Sequence, residues 1–167
     1  GGHATGDTLT SIENVTGSAY NDSFVANILA NRFDGGGGND TVTFISYDSG
    51  PDTIVDLAAG TGQGGHAEGD SFTSIENLSG DEHSARHIFR GNDAVNHLYG
   101  GGGNDILQGR GGADILDGGS GRDNAYYVDS AAGVVIDLTA GTSSGGDAEG
   151  DTLISIENLT GSDFDDS

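Results

Sequence analysis

Residues 98–123 read "LYGGGGNDILQGRGGADILDGGSGRD", glycine clusters alternating with aspartates and aliphatic residues on a fixed count. The count is nine. Residues 100–108 are "GGGGNDILQ", 109–117 "GRGGADILD", 118–126 "GGSGRDNAY", and 35–43 "GGGGNDTVT". Each copy has glycine at places 1 and 4, aspartate at place 6 (Asp40, Asp105, Asp114, Asp123) and an apolar residue at place 8. Degenerate copies flank them at 17–25 (with Asp22), 26–34 and 91–99; Asn31 and Asn96 stand at place 6 in the last two. A disordered Gly/Asp linker would fix no place for its aliphatics, yet Val42, Leu98, Leu107 and Leu116 all fall at place 8.

The nonapeptide has a direct physical reading. Six glycine-rich residues can take positive φ and make a tight turn that exposes its carbonyls. Three extended residues follow, the middle one pointing inward. Helix is disfavoured, because interior glycine costs about 1 kcal/mol per position. Stacked turns then give an all-β solenoid, two parallel sheets around a thin aliphatic core, with two nonapeptides per coil.

Composition agrees. Apolar residues make up 33% of the 167, against roughly 45–50% in an ordinary globular domain. Tryptophan, methionine and cysteine are absent, so neither a thick core nor disulfides carry the fold. Net charge is −22, and all five basic residues are arginine. Such a chain repels itself when compact and needs counter-charge. It also repels nucleic acid and anionic membranes, and no apolar run approaches the ~20 residues of a membrane helix.

A longer repeat encloses the nonapeptides: "GDTLTSIENVTGS" at 6–18, "GDSFTSIENLSGD" at 69–81 and "GDTLISIENLTGS" at 150–162. Its spacings, 63 and 81 residues, differ by two nonapeptides. The expected organisation is the end of one module at 1–16, a module at 17–79, a second at 80–160 and the start of another at 161–167. Residue 1 falls inside a repeat, so a longer parent chain is expected. The pieces "GPDTIVDLAAGT" (50–61) and "AGVVIDLTAGT" (132–142) alternate as strands do and read as wider coils of the same solenoid.

Stacking brings equivalent aspartates together, and unscreened carboxylates would push the coils apart. The available ligands are carboxylates and glycine carbonyls, with no thiol. Hard oxygen donors in flexible loops suit Ca²⁺ better than zinc or copper, while Mg²⁺ keeps more of its water.

The four regular copies match GGxGxDxUx, and in this the chain resembles the RTX (repeats-in-toxin, haemolysin-type) family of calcium-binding nonapeptides. The resemblance implies a parallel β-roll, or β-helix solenoid, with calcium held between stacked turns. It also implies that Asp105 shares an ion with the turn bearing Asp123, that Asp114 faces the turn at 91–96, and that Asp40 faces the turn of Asp22. Carbonyls near Gly36, Gly38, Gly101, Gly103, Gly112, Gly119 and Gly121 would complete the shells. Asn31, Asn96, Arg110 at the second place and Ala125 at the eighth depart from the pattern; sites using those turns are expected to be weaker or empty.

A second loop recurs as "GGHATGD", "GGHAEGD" and "GGDAEGD", ending in Asp7, Asp70 and Asp151. It reads either as a longer-turn calcium site or as a solvated loop whose aspartate caps a turn. Glu13, Glu76 and Glu157 of the "IEN" strands are expected to be solvated, with Asn14, Asn77 and Asn158 as stacking amides. "HSARHIFR" (83–90) breaks the count and is expected to bulge outward; a transition metal on His83 and His87, or an acidic partner, is the lesser alternative. His3 and His66, in glycine loops, are expected to be exposed. No enzyme motif has its context: "GTSSG" (141–145) is followed by no helical pattern.

The function expected is therefore a non-catalytic, Ca²⁺-dependent structural module of a secreted bacterial protein, extracellular or at the cell surface. The resemblance implies export unfolded by a type I system and folding in external calcium. Two settings fit: an extended scaffold, adhesin or filament with modules stacked end to end, or an accessory domain of a secreted polysaccharide-active enzyme or protease. Calcium is the expected partner, neighbouring modules or a polysaccharide the further ones.

Overall fold

The computed structural model describes residues 12–45 and 50–167; the readings placed on His3 and Asp7 fall outside them. Almost every element is a strand of two to four residues, because turns, most of them glycine-rich, interrupt the chain at short intervals. Two sheets carry the fold. The larger runs, in spatial order, Asn14–Thr16, Arg32–Asp34, Ser71–Thr73, Thr61–Gln63, Thr53–Asp56, His87–Arg90, Ile106–Gln108, Asn124–Tyr126 and Asn158–Thr160. The smaller runs Ser23–Val25, Thr41–Thr43, Asn77–Ser79, His97–Tyr99, Ile115–Asp117 and Thr152–Ile154.

The pairing is parallel wherever nonapeptides stack, at the offset of two repeats: Phe24 lies beside Val42, Leu98 beside Leu116, and Phe89 beside Leu107 and then Ala125. The chain alternates between sheets every nine residues, so the architecture is a parallel β-roll. Place 8 points inward throughout. Val42, Phe89, Leu98, Leu107, Leu116 and Ala125 are fully buried in one core. Where aliphatics give way to aromatics the core becomes a ring ladder, Phe24–Phe33–Phe72–Phe44–Phe89, with centroids 5.8–6.2 Å apart. That spacing is within the favourable range for aromatic pairs. Strand pairing crosses the expected boundary at 79/80: Leu78 is paired with Leu98, and Val55 with Phe89.

Two expectations need correction. The pieces read as wider coils fold back instead as antiparallel hairpins, Thr53–Asp56 with Thr61–Gln63 and Val135–Asp137 with Thr142–Ser144. Each then makes a single 3-10 turn, Gly65–Ala67 or Gly146–Ala148, before rejoining the roll. The reversal follows from the turns: Gly60 and Gly141 sit at φ 66, while Asp56 and Asp137 accept backbone N–H groups within them. The second concerns 83–90. His83, Ser84 and Arg86 are exposed, but the second half does not bulge outward: His87–Arg90 is an interior strand of the larger sheet, and His87 is completely buried.

Candidate metal centre

Stacking the turns stacks place 6. Strand register puts Asp22, Asp40, Glu76, Asn96, Asp114 and Asp151 in one row beside the smaller sheet. A second row beside the larger sheet holds Thr53, His87, Asp105, Asp123 and Glu157. Asn31 and Asp70 are neighbours in a third run. Within a row each carboxylate is tied to the rung before it. Oδ1 of Asp40 accepts the backbone N–H of Asp22 (2.7 Å), Oδ1 of Asp123 that of Asp105 (2.8 Å), and Oδ1 of Asp114 that of Asn96 (2.9 Å). These are the three turn pairs named from the repeat.

The other oxygen is the informative one. Oδ2 of Asp40, Asp70, Asp105, Asp114 and Asp123 is buried and has no hydrogen-bond partner among the described residues. Such a group costs its full desolvation unless something compensates. Burial accordingly pushes Asp114 up to about 7 and Asp70 to about 6, and raises Asp123 as well. Repulsion adds to this, from Asp151 and Asp147 at Asp114 and from Asp105 and Glu157 at Asp123.

The glycines shape the same space. Gly36, Gly38, Gly101, Gly103, Gly112, Gly119 and Gly121 all lie at positive φ, between 84° and 143°. Gly121 shows why a side chain is excluded: its Cβ would stand 1.5 Å from the carbonyl oxygen of Gly103, one coil away. The first-place glycine leaves room for the acid itself, since a Cβ on Gly35, Gly100, Gly109 or Gly118 would come within 2.1–2.6 Å of its own turn's aspartate Oδ2. Carbonyl oxygens of successive turns and unpartnered carboxylate oxygens therefore share a narrow space. Among the described residues no three His, Cys, Asp or Glu side chains form a metal cluster. An ion here would draw on two carboxylates and several carbonyls, a donor set that fits calcium.

Some rungs are already satisfied. Asp22, at the edge of its row, turns Oδ2 to the N–H (2.5 Å) and hydroxyl (2.9 Å) of Ser18. Asn96 donates its side-chain N–H to the Glu76 carbonyl (3.0 Å), so an amide bridges the gap where an aspartate would bring charge. Asp70 and Asp151 are buried, which overturns the solvated-loop alternative, and both stand at place 6 of the ladder. They differ, however. Oδ2 of Asp70 is unpartnered, whereas that of Asp151 accepts the Tyr127 hydroxyl at 2.8 Å. Burial raises Asp151 to about 6, opposed by its bonds from the Asp114 N–H and Tyr127.

Three features escaped the sequence reading. Glu76 and Glu157 are not simply solvated: each Oε2 accepts a backbone N–H at 2.8 Å, from Asp40 and Asp123. Arg110, left-handed at φ 68 in a glycine's place, reaches the hairpin and binds both oxygens of Asp56 (2.8 and 2.7 Å) and the Gly91 carbonyl (2.6 Å). That hydrogen-bonded pairing holds the Asp56 carboxyl below its usual range. His87 replaces the acid at its rung, with Nδ1 3.5 Å from Asp105 Oδ1 and the ring against Phe89. His83 instead pairs with Asp81 (2.8 Å) on a half-exposed side chain. An imidazole at place 6 does not fit a calcium shell of oxygens.

Residues 7–42 and 90–125 match the family model of the RTX calcium-binding nonapeptide repeat (4 copies). Among curated proteins none matches the chain. Within the described residues both matched segments form stacked turns of the roll, and these segments carry RTX nonapeptide repeats, a repeat type that binds calcium.

Proposed function

We propose that this chain is a structural module of a secreted protein that folds when it meets external calcium and serves as part of an extended extracellular scaffold, adhesin or filament. The observation that carries this is the run of buried, unpartnered Oδ2 atoms on successive rungs, in a chain of net charge −22. Asp40, Asp70, Asp105, Asp114 and Asp123 would hold the ions, with carbonyls of the glycine turns. Bound calcium supplies positive charge and coordination to those oxygens. The protein's own residues do the rest: Oδ1 atoms and main-chain bonds set the register, and the place-8 side chains exclude water.

Magnitudes fit a switch. Extracellular calcium sites bind at about 10⁻⁴–10⁻³ M. At ten times Kd each site adds about 1.4 kcal/mol, so three add roughly 4, a large share of a typical stability of 5–15 kcal/mol. In the calcium-poor cytosol the acidic chain would stay open, which suits export unfolded. An extended role is supported by the row from Asp22 to Asp151, which runs unbroken through both long repeats. Small-angle scattering tests the reading. Millimolar calcium should shrink the radius of gyration from near 43 Å, expected for 167 unfolded residues, to well under 30 Å for a short roll. A compact particle in EGTA would overturn it.

A further inference from the structure

The second family match begins at residue 90, so almost all of the rung from Gly80 to Arg90 lies outside it. That rung is nevertheless in register with the nonapeptide stacked on it. Gly80 donates its N–H to the Tyr99 carbonyl, as Gly91 does to Gln108 and Gly100 to Asp117, all at 2.7–2.8 Å. Ile88 and Phe89 pair with Ile106 and Leu107. Gly80 therefore holds a first place, and His87 a sixth place beside Asp105. The two extra residues of the segment lie between them.

In an ordinary rung two donors face the first-place glycine: the sixth-place side chain of its own turn and the first-place carbonyl of the next coil. A Cβ on Gly100 would meet Asp105 Oδ2 and Gly118 O, and one on Gly91 would meet Asn96 Oδ1 and Gly109 O, each within 2.8 Å. A Cβ on Gly80 would meet Gly100 O and, at 2.7 Å, His87 Nδ1. The imidazole nitrogen thus takes the seat that a carboxylate oxygen has elsewhere in the ladder. Both ring nitrogens of His87 are buried without a hydrogen-bond partner, and so is Oδ2 of Asp105. An imidazole merely packed against Phe89 would lose its hydration and recover nothing for either nitrogen.

The spacing suits a small ion. Nδ1 lies 3.5 Å from Asp105 Oδ1, the span of two ligands that each stand about 2.0–2.2 Å from one metal at a near-tetrahedral angle. Imidazole nitrogen favours zinc, copper and nickel, whereas calcium takes oxygen. With no third His, Cys, Asp or Glu in reach among the described residues, carbonyls and water would complete the shell. His83 is not needed for it; its ring pairs with Asp81 on a half-exposed side chain.

We propose that the gap between the His87 and Asp105 rungs is a transition-metal site, taking zinc or a similar divalent ion on His87 Nδ1, the Asp105 carboxylate and the Gly100 carbonyl. The inference shares the stacked register with the calcium reading but not its metal: one imidazole in the place of an acid changes which cation the gap selects.

Calorimetric titration with zinc in saturating calcium tests it, on the unsubstituted chain, His87→Gln, His87→Asp and His83→Ala. The unsubstituted chain and His83→Ala are expected to bind zinc at one site, and His87→Gln to lose that site or weaken it at least tenfold. His87→Asp restores the acid and is expected to trade the zinc site for an additional calcium ion. Zinc binding that survives His87→Gln, or that His83→Ala removes, would overturn the assignment, as would no zinc uptake by the unsubstituted chain. A chain that binds zinc through His87 yet takes up no calcium would sink the calcium reading and leave this one standing. Should the His87 variants fail to fold, a crystal of the unsubstituted chain grown with zinc decides the matter. An anomalous peak between His87 Nδ1 and Asp105 supports the site, and peaks confined to other residues contradict it.

Discussion

At the scale of single residues, the sixth-place aspartate divides its work between two oxygens: Oδ1 takes the N–H of the preceding rung, and Oδ2 is buried with nothing to bind. This sets how pH acts. Burial lifts Asp114 to about 7 and Asp70 and Asp151 to about 6, whereas unfolded aspartates titrate near 4. The metal-free fold thus binds more protons than the unfolded chain. Its stability from these groups is complete below about pH 4 and is lost as pH rises to about 7. Calcium needs the carboxylates ionised, so in its presence acid works the other way. From pH 4 to 7 the β signal in circular dichroism should fall with pH in EGTA, while the urea midpoint in saturating calcium should rise with pH; parallel trends would contradict the account. Asp114→Asn should separate the same two effects. It should leave the metal-free chain with more β signal in EGTA at pH 7 than the unsubstituted chain, and raise the calcium midpoint at least tenfold, about 1.4 kcal/mol at one site. The acids themselves were legible in the sequence because a count of nine fixed their places. His87, Glu76 and Glu157 were not, since an eleven-residue gap or a three-residue corner shifts the count and only strand pairing restores it.

At the scale of the turn, glycines that look alike in sequence have different duties. Gly121, at φ 143, would drive a Cβ into the Gly103 carbonyl, while Gly37 would meet only Ala19 Cα at an ordinary 3.7 Å and lies outside the left-handed region. Gly121→Ala should therefore cost about 2 kcal/mol or more, and Gly37→Ala should change the urea midpoint in saturating calcium little. Equal effects would show that turn geometry does not govern stability. Arg110 gives a counter-intuitive case. Arg110→Gly restores the repeat pattern and relieves a left-handed side chain, but it removes the two-pronged bond to Asp56 and the bond to Gly91. A net loss of about 1–2 kcal/mol is expected, since charge-assisted bonds are individually strong but this pair is partly exposed. The hairpin that receives Arg110 was visible only as alternating strands. Their antiparallel sense depends on turn chemistry at Asp56–Thr61, which periodicity alone does not report.

At the scale of the whole molecule, two sheets share one core, and their rows of acids run along its length. A thin core in a chain of net charge −22 leaves little stability to spare when the rows are unneutralised, and folding one coil creates the pairing edge for the next. Loading should therefore be cooperative. Magnesium, which holds its water and demands near-octahedral geometry, should substitute poorly at equal concentration. The most direct measurement is far-ultraviolet circular dichroism of the chain in EGTA through a calcium titration at pH 7. A largely disordered spectrum in EGTA, giving way to β signal in one steep transition below a few millimolar calcium, is predicted. The same full β spectrum in excess EGTA as in calcium would contradict the claim that bound cations hold the coils together.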